Sequence, residues 1–392
     1  MNDIFIDRTA PDPTRRHFLW GCAAGAAALG LARRNALAQA VEASGLGAAF
    51  KGIFHIGAAV STFTLERQIE PELALLAREF TSLTPENCMK WQEIRPNNAE
   101  WRFGPADKLV EFGTANGMYL VGHTLVWHSQ VPRNLFSDPS GAPLDRLALL
   151  ARMEEHIDTL VGRYRGRIAA WDVVNEAINE GNGWRRSRWL EIIGEDFMEH
   201  AFRFAHAADP DARLLYNDYN MHNPRKRAFL LGVLRDYLDR GVPIHGIGLQ
   251  GHIGLDYPDM EEWEKSIAAY ASLGLEVHVT ELDVDVLPNP NSPTAEVSTR
   301  GEYSEAIDPY REGLPEAVEE ALAQRYRLVF EILLEHRPAV KRVTMWGLHD
   351  GISWKNNFPI RGRTNHPLLF DRDLRPKRAY FELLALAATL RS

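Results

Sequence analysis

Cysteine is scarce in this sequence, whose 392 residues contain only Cys22 and Cys88. If Cys22 is removed with an N-terminal leader, as argued below, one cysteine remains and no internal disulfide can form. The stability of the folded protein must then come from a packed core. A hydrophobic content of 45% and 10 Trp residues are sufficient to build one.

Features that mark several other classes of protein are also missing. The body of the chain has no block of Lys and Arg and the formal net charge is −9, so nucleic acid is not an expected partner. No G-x-G-x-x-G sequence follows the first apolar segment, which argues against a dinucleotide cofactor. No Gly/Ser linker or change of composition follows residue 41, which favours a single domain.

The N-terminus differs from the rest of the chain. Twin arginines in 14-TRRHFL-19 precede the short apolar run 21-GCAAGAAALGLA-32, and 38-AQA-40 is a small-x-small cleavage pattern. This arrangement resembles a twin-arginine (Tat) export signal, so we expect residues 1–40 to be cleaved and 41–392 to form the mature, exported protein. The alternatives are a disordered basic tail and a short membrane anchor, but the apolar run is shorter than the ~20 residues that span a bilayer.

The export prediction has consequences for partners and location. The precursor is expected to use the Tat export machinery and the mature chain to lie in the periplasm or outside the cell. No membrane contact of the mature form is expected, and a monomer is the expected state.

Eight short apolar segments alternate with amphipathic helix patterns along the mature chain. The segments are 53–60, 79–87, 118–128, 168–177, 213–220, 244–253, 275–284 and 341–347. Among the helix patterns, 187–208 begins at the candidate N-cap Ser187, and 315–336 has Pro315 in its first turn. Eight strand-then-helix units predict an α/β fold, a single-domain (β/α)8 TIM barrel, rather than an open doubly wound sheet.

Polar side chains collect at the C-terminal ends of three predicted strands, which is where barrel enzymes carry their sites. They are Asn175 and Glu176 in strand four, Gln250 and His252 in strand six, and Glu281 and Asp283 in strand seven. Because side chains alternate along a strand, Val277 and Val279 should share the inward face with Glu281 and Asp283. Adjacent Asn175 and Glu176 can both face the site only if the end of strand four twists or bulges.

Glu176 and Glu281 would face each other across the mouth of the barrel, which is the arrangement that cleaves an acetal. One carboxylic acid, its pKa raised by burial, protonates the departing oxygen while the other carboxylate attacks the anomeric carbon. A separation of about 5–5.5 Å gives retention of configuration and a wider gap gives inversion. The sequence does not fix that distance.

Short motifs, taken together and in order, resemble glycoside hydrolase family 10, the endo-β-1,4-xylanases, over about residues 48–390. The matching motifs are 84-TPENCMKW-91, 122-GHTLVWHSQ-130, 171-WDVVNEA-177, 216-YNDYN-220, 246-GIGLQGHI-253, 279-VTELD-283 and 343-VTMWG-347. The chain departs from the family pattern at residues 131–134 and 347–354, which affects fine specificity rather than the reaction class.

The resemblance implies hydrolysis of xylan or xylo-oligosaccharides by retaining double displacement, with Glu176 as acid/base and Glu281 as nucleophile. It implies that Asn175 holds a sugar hydroxyl, that Gln250 contacts the acid/base, and that His252 and Asp283 keep the nucleophile ionised. The substrate-binding residues that it implies are Glu86, Asn87, Lys90, His123, Trp127, Gln130 and Tyr219, with Trp346 and Trp354 as aromatic walls.

Other interpretations of the same residues remain at this stage. A metal-dependent barrel hydrolase is disfavoured because no His/Cys/Asp cluster has ligand spacing, so no metal or cofactor is expected. A carbohydrate-binding barrel without catalysis is disfavoured by the presence of both acids, and a related enzyme acting on cellulose or mannan is the runner-up. The charges of 184-WRRSR-188 suggest a solvated loop face. The segment 287–314 is predicted to be a long inserted loop, which could hold a structural calcium ion.

Overall fold

A computed structural model describes residues 45–288, 296 and 298–390 of the chain. The predicted export signal, 1–40, lies outside the described residues. In the described part of the chain no helix combines the length and apolarity needed to cross a membrane.

Eight parallel strands close into a barrel, which confirms the predicted (β/α)8 fold. The barrel strands are β1 His55–Val60, β2 Ser82–Pro85, β3 Tyr119–Trp127, β4 Ala170–Asn175, β5 Arg213–Asp218, β6 Gly246–Leu249, β8 Glu276–Asp285 and β9 Val340–Met345. The short strand β7, His252–Gly254, continues the line of β6 and pairs with β8. The barrel closes because β6 also pairs with β8, and β9 pairs with β1.

Helices follow the strands and cover the outside of the barrel. They are α1 Leu46–Ala49, α2 Thr62–Arg67, α3 Glu70–Glu79, α4 Trp91–Ile94, α5 Gly104–Ala115, α6 Arg146–Arg163, α7 Arg188–Ile192, α8 Phe197–Ala208, α9 Pro224–Asp239, α10 Met260–Ala271, α11 Glu316–Glu335 and α12 Arg378–Thr389. Short 3-10 turns lie at Pro96–Asn98, Glu305–Ile307, Asp350–Ile352 and Trp354–Asn356.

The pattern at 187–208 forms two helices, so the prediction of one continuous helix is wrong. Ser187 is the N-cap, as expected, and its hydroxyl accepts the backbone N–H of Leu190. The chain then leaves the helical conformation at Gly194, whose φ of 108° is accessible to glycine at little cost. Pro315 also lies one position earlier than expected, since it is the N-cap of α11 rather than a residue of its first turn.

The apolar core is a layer between the strands and the helices, while the inside of the barrel holds polar side chains above a small apolar floor. The floor is formed by Val121, Ala170 and Leu215. The predicted inward direction of Val277 and Val279 is wrong: both belong to the outer layer.

In β8 it is His278 and Thr280 that point into the barrel, where they hydrogen-bond to side chains of β9 and β5. The two β-branched valines instead belong to the large apolar core between the strands and the helices. The barrel interior at this level is occupied by hydrogen-bonded polar groups.

Candidate active site

The predicted polar side chains meet in a cavity of about 140 Å³ at the C-terminal ends of the strands. Its lining residues are Glu86, Asn87, Lys90, His123, Trp127, Gln130, Asn175, Glu176, Gln250, His252, Glu281, Trp346 and Trp354. A larger cavity of about 790 Å³ lies at the opposite end of the barrel, but neither Glu176 nor Glu281 lines it. The chemistry therefore belongs to the smaller cavity.

An irregular end of β4 allows the adjacent residues Asn175 and Glu176 to face the same cavity. The pairing of β4 with β5 shifts register between Asp172 and Val174, and Glu176 then adopts a left-handed conformation with φ of 58°. A left-handed residue reverses the alternation of a strand, so Asn175 and Glu176 both line the cavity. For a residue other than glycine this conformation costs about 1 kcal/mol or more.

The Glu176 carboxyl group is buried and accepts several hydrogen bonds. Gln250 Nε2 donates to Oε1 at 2.9 Å, Asn175 Nδ2 donates to Oε1 at 3.2 Å, and Trp127 Nε1 donates to Oε2 at 2.8 Å. Burial, and after it the negative charge of Asp218, raise the pKa of Glu176 to about 7. Near neutral pH the group can therefore both give and take a proton.

Glu281, from β8, is equally buried but stays ionised. Asn217 Nδ2 donates to Oε1 at 2.8 Å, and His252 Nε2 lies 3.2 Å from Oε2. Burial alone would raise the pKa of Glu281, but the hydrogen bond from His252 and the electrostatic interactions with His123, His252 and Lys90 hold the pKa below its ordinary value.

His252 links the nucleophile candidate to a second carboxylate. Its Nδ1 lies 3.0 Å from Asp283 Oδ2, which also accepts a 2.7 Å hydrogen bond from Trp354 Nε1. Burial alone would lower the pKa of His252, but Asp283 and Glu281 together raise it to about 9. With both nitrogens protonated, His252 donates to both carboxylates. Asp283 does not line the cavity itself but holds His252 in place from behind. Its Oδ1 lies 3.9 Å from Lys355 Nζ.

A polar cluster forms the side of the cavity next to β2 and β3. Lys90 Nζ donates to Asn87 Oδ1 at 3.1 Å and to Gln130 Oε1 at 2.9 Å, and lies 5.1 Å from the centre of the Trp127 ring. Burial lowers the pKa of Lys90 and raises that of neighbouring Glu86. Together these groups offer donors and acceptors suited to the edge of a sugar ring.

Aromatic rings form another part of the cavity boundary. Trp346 packs edge-on against His123, with ring centres 5.3 Å apart, and Trp354 stacks on Phe358 at 4.5 Å. Flat faces of this kind suit the C–H faces of a pyranose. His123 is itself held by a 2.9 Å contact between its Nδ1 and Asp172 Oδ2.

Tyr219 is placed differently from the other predicted substrate-binding residues. Its side chain is buried, and its hydroxyl accepts a hydrogen bond from Arg185 and donates to Glu296, so it does not line the cavity.

Asn217 is a site residue that the sequence reasoning missed. Besides its bond to Glu281, its Nδ2 donates to Asn175 Oδ1 at 2.9 Å, and its Oδ1 accepts from Thr280. It thus connects the ends of β4, β5 and β8. Asn217 lies two residues after Leu215, which faces the barrel interior, but the unbroken apolar run 214–216 does not show from the sequence which residues of β5 face inward.

The described residues contain no group of three or more His, Cys, Asp or Glu side chains arranged to hold a metal ion. The cavity combines an acid that titrates near neutral pH with a second carboxylate kept ionised, and it surrounds both with sugar-compatible surfaces. This arrangement can perform acid/base and nucleophilic chemistry on an acetal with its own side chains.

Comparison with known proteins gives consistent matches over most of the chain. The family model for Glycosyl hydrolase family 10 matches residues 45–386. Endo-1,4-beta-xylanase B of Paenibacillus barcinonensis is 41% identical over 348 residues, which cover 88% of this chain and 99% of that protein. Beta-1,4-xylanase of Dictyoglomus thermophilum is 42% identical over 349 residues, covering 88% and 92%.

Solved structures match as well. A GH10 endoxylanase retrieved from a sugarcane soil metagenome superposes with a TM-score of 0.86 at 53% identity, covering 87% of this chain and 100% of that one. A xylanase from Paenibacillus barcinonensis, complexed with a conduramine derivative, gives a TM-score of 0.78 at 41% identity, covering 87% and 98%.

Proposed function

The chain belongs to glycosyl hydrolase family 10, and on that premise we propose that it hydrolyses internal β-1,4 bonds of xylan with retention of configuration. The observation that supports this most is the opposite pKa shift of two buried glutamates in one cavity, raised for Glu176 and lowered for Glu281. The printed names of the relatives, which are xylanases, support the choice of substrate.

The proposed reaction has two steps. Glu176 gives its proton to the glycosidic oxygen while the Glu281 carboxylate attacks the anomeric carbon, so the C–O bond breaks and a glycosyl ester of Glu281 forms. The fragment with the new hydroxyl group leaves. Glu176, now ionised, takes a proton from water, whose oxygen attacks the same carbon and frees Glu281.

The surrounding residues have roles that fit this chemistry. His252, held by Asp283, stabilises the Glu281 carboxylate before attack and after its release. Asn175 donates to Glu176 and lines the same cavity as Glu281, where it can bind a hydroxyl of the reacting sugar. We propose the cluster around Lys90 and the walls Trp346 and Trp354 as contacts for the sugar on the non-reducing side of the cleaved bond.

Product analysis on xylan, carboxymethylcellulose and mannan, run side by side, tests the substrate. We expect short xylo-oligomers from xylan alone. Equal or greater release from either of the other polymers would contradict the proposal. Proton NMR of the first product formed tests retention, because the new reducing end must appear as the β-anomer before it equilibrates.

A nucleophile variant separates an enzyme from a binding protein. Glu281→Ala should lower kcat by at least about 10³-fold while calorimetry still detects binding of xylo-oligosaccharide, because the binding surfaces remain. Glu302→Ala, at an exposed position, serves as the control and should retain wild-type turnover.

We also propose that the protein is exported and acts as a monomer. The twin-arginine pattern of residues 1–40 supports export. Replacing Arg15 and Arg16 with lysine should leave the precursor in the cytoplasm, as measured by cell fractionation.

A further inference from the structure

Arg185 lies in the loop after β4, in the segment 184–188 that the sequence suggested to be a solvated face. That interpretation is wrong for Arg185, whose side chain is only 16% exposed, although Arg186 and Arg188 are exposed. Its backbone N–H donates to the carbonyl of Ala177 at 2.8 Å, so the loop folds back over the end of β4.

The guanidinium group of Arg185 joins three parts of the site. Nε donates to the backbone carbonyl of Glu176 at 2.8 Å, and Nη2 donates to the Tyr219 hydroxyl at 2.6 Å. Nη1 donates to the carboxylate of Glu296, in the loop that follows β8. The Tyr219 hydroxyl donates to the same carboxylate at 3.2 Å, so these two acceptors also hold each other in place. We call the three hydrogen bonds of the Arg185 guanidinium group the Arg185 fork.

The carbonyl that Arg185 binds belongs to the residue with the unfavourable left-handed φ of 58°. The Glu176 backbone N–H is held from the other side by the Asn217 carbonyl at 2.9 Å. A planar guanidinium with donors in fixed directions can hold this conformation, whereas a lysine ammonium is a point charge on a flexible stem.

We propose that Arg185 is a positioning residue for the acid/base Glu176: its three-way fork holds the left-handed backbone that aims the Glu176 carboxyl group at the leaving-group oxygen. This inference rests on the function proposed above. The loop after β4, which carries Arg185, then contributes to the acid/base step. The loop after β8 contributes as well, because its Glu296 binds Arg185.

Electrostatics add a second effect that a purely structural residue would lack. The positive charge of Arg185 favours the ionised form of Glu176 and so opposes burial, which is the largest cause of its raised pKa. Removing the charge must therefore move the pKa of Glu176 further upward.

The test compares two leaving groups. The leaving group in xylan is a sugar hydroxyl, which departs poorly unless Glu176 protonates it. In a dinitrophenyl β-xylobioside the leaving group is dinitrophenolate, which departs without being protonated. Arg185→Met should lower kcat/KM on xylan by about tenfold to a hundredfold and change kcat/KM on the dinitrophenyl substrate much less. For Arg185→Met on xylan, the basic limb of the pH profile should move to higher pH than in the wild type.

Arg185→Lys separates charge from geometry, because it keeps the positive charge but not the planar fork. Its kcat/KM on xylan should be lower than that of the wild type, while the basic limb of its pH profile should stay at the wild-type pH. Arg186→Met, at the exposed neighbouring position, should match the wild type in every measurement. Should Arg185→Met fail to fold, Tyr219→Phe removes one acceptor of the fork and should lower kcat/KM on xylan by about three- to tenfold with KM little changed.

Equal losses on both substrates, or no loss on xylan, would overturn the positioning role while leaving the proposed function intact. A wild-type protein that cleaves neither substrate would overturn the proposed function and this inference with it.

Discussion

At the scale of the residue, the environment of each glutamate sets its role. Glu176 and Glu281 are both buried in one cavity, yet their pKa values move in opposite directions. Asp218 lies near Glu176 and adds a negative charge, whereas protonated His252 donates directly to Glu281. These environments suit the same side chain to the two proposed roles, acid for Glu176 and nucleophile for Glu281.

The pH dependence of the reaction follows from these shifts. Glu281, with its pKa below the ordinary value, is ionised at neutral pH, and Glu176 must be protonated for the first step of the proposed reaction. We therefore expect kcat/KM on xylan to be lost as the pH rises through about 7, where Glu176 loses its proton.

A variant of Gln250 tests the cause of this pKa. Gln250→Leu removes a hydrogen bond that lowers the pKa of Glu176, so the basic limb of the variant's pH profile should lie at higher pH than that of the wild type. A shift to lower pH would contradict this account.

The sequence predicted which residues meet in the cavity better than it predicted how they are held. Glu176 and Glu281 were found because carboxylates at the ends of apolar strands are unusual. Arg185 was taken for a surface charge because its partners, a backbone carbonyl and a carboxylate 111 positions away, leave no local pattern. Asn217 was missed because only its tertiary neighbours distinguish it from other polar residues.

At the scale of the element, the contact between β3 and β4 depends on a glycine. Gly122 of β3 pairs with Trp171 of β4, and a Cβ added at Gly122 would lie 2.1 Å from the Trp171 ring. Trp171 is fully buried and cannot move aside. Since β3 continues directly into His123 and ends at Trp127, this contact also sets the position of one wall of the cavity.

A pair of glycine variants tests this contact. Gly122→Ala should destabilise the protein by about 1–3 kcal/mol through overpacking and should also raise KM on xylan. Gly162→Ala, in α6, meets no atom within 4 Å and should be neutral or stabilising by up to about 1 kcal/mol, because alanine favours helix. Urea unfolding monitored by fluorescence measures both, and a stable Gly122→Ala variant would refute the argument.

Element positions could be predicted from periodicity, but their irregularities could not. All eight predicted barrel strands are present, because short apolar segments followed by helices permit few folds. The inward face of β8 was misassigned, since apolar alternation does not distinguish the inside of a barrel from its outer layer. The break at Gly194 was missed because glycine can also lie within a helix.

At the scale of the whole molecule, one buried carboxylate joins the two ends of the described chain. Glu79, at the end of α3, accepts the backbone N–H of Leu46 in α1 at 3.0 Å and the hydroxyl of Tyr380 in α12 at 2.8 Å through the same oxygen. Its other oxygen accepts from the exposed Arg78 at 2.7 Å. The first and last helices are thereby fixed together on the barrel.

Removing this connection should cost stability without affecting the chemistry. Glu79→Ala removes the acceptor of two buried hydrogen bonds, so we expect a loss of about 3 kcal/mol, measured from the urea midpoint, with unchanged kcat on xylan well below that midpoint. Arg78→Ala removes only the exposed guanidinium that contacts the other oxygen of Glu79 and should cost less than Glu79→Ala. Equal effects of the two variants would show that the buried bonds contribute little.

The backbone conformation at position 176 shows why relaxing a strained residue need not make a protein more heat-resistant. Glycine there would adopt the φ of 58° at little cost, but Glu176→Gly would also remove the acceptor that Gln250, Asn175 and Trp127 share. We therefore expect Glu176→Gly to melt at a lower temperature than the wild type and to lose the proposed general acid, so the relaxed backbone would gain neither endurance nor turnover.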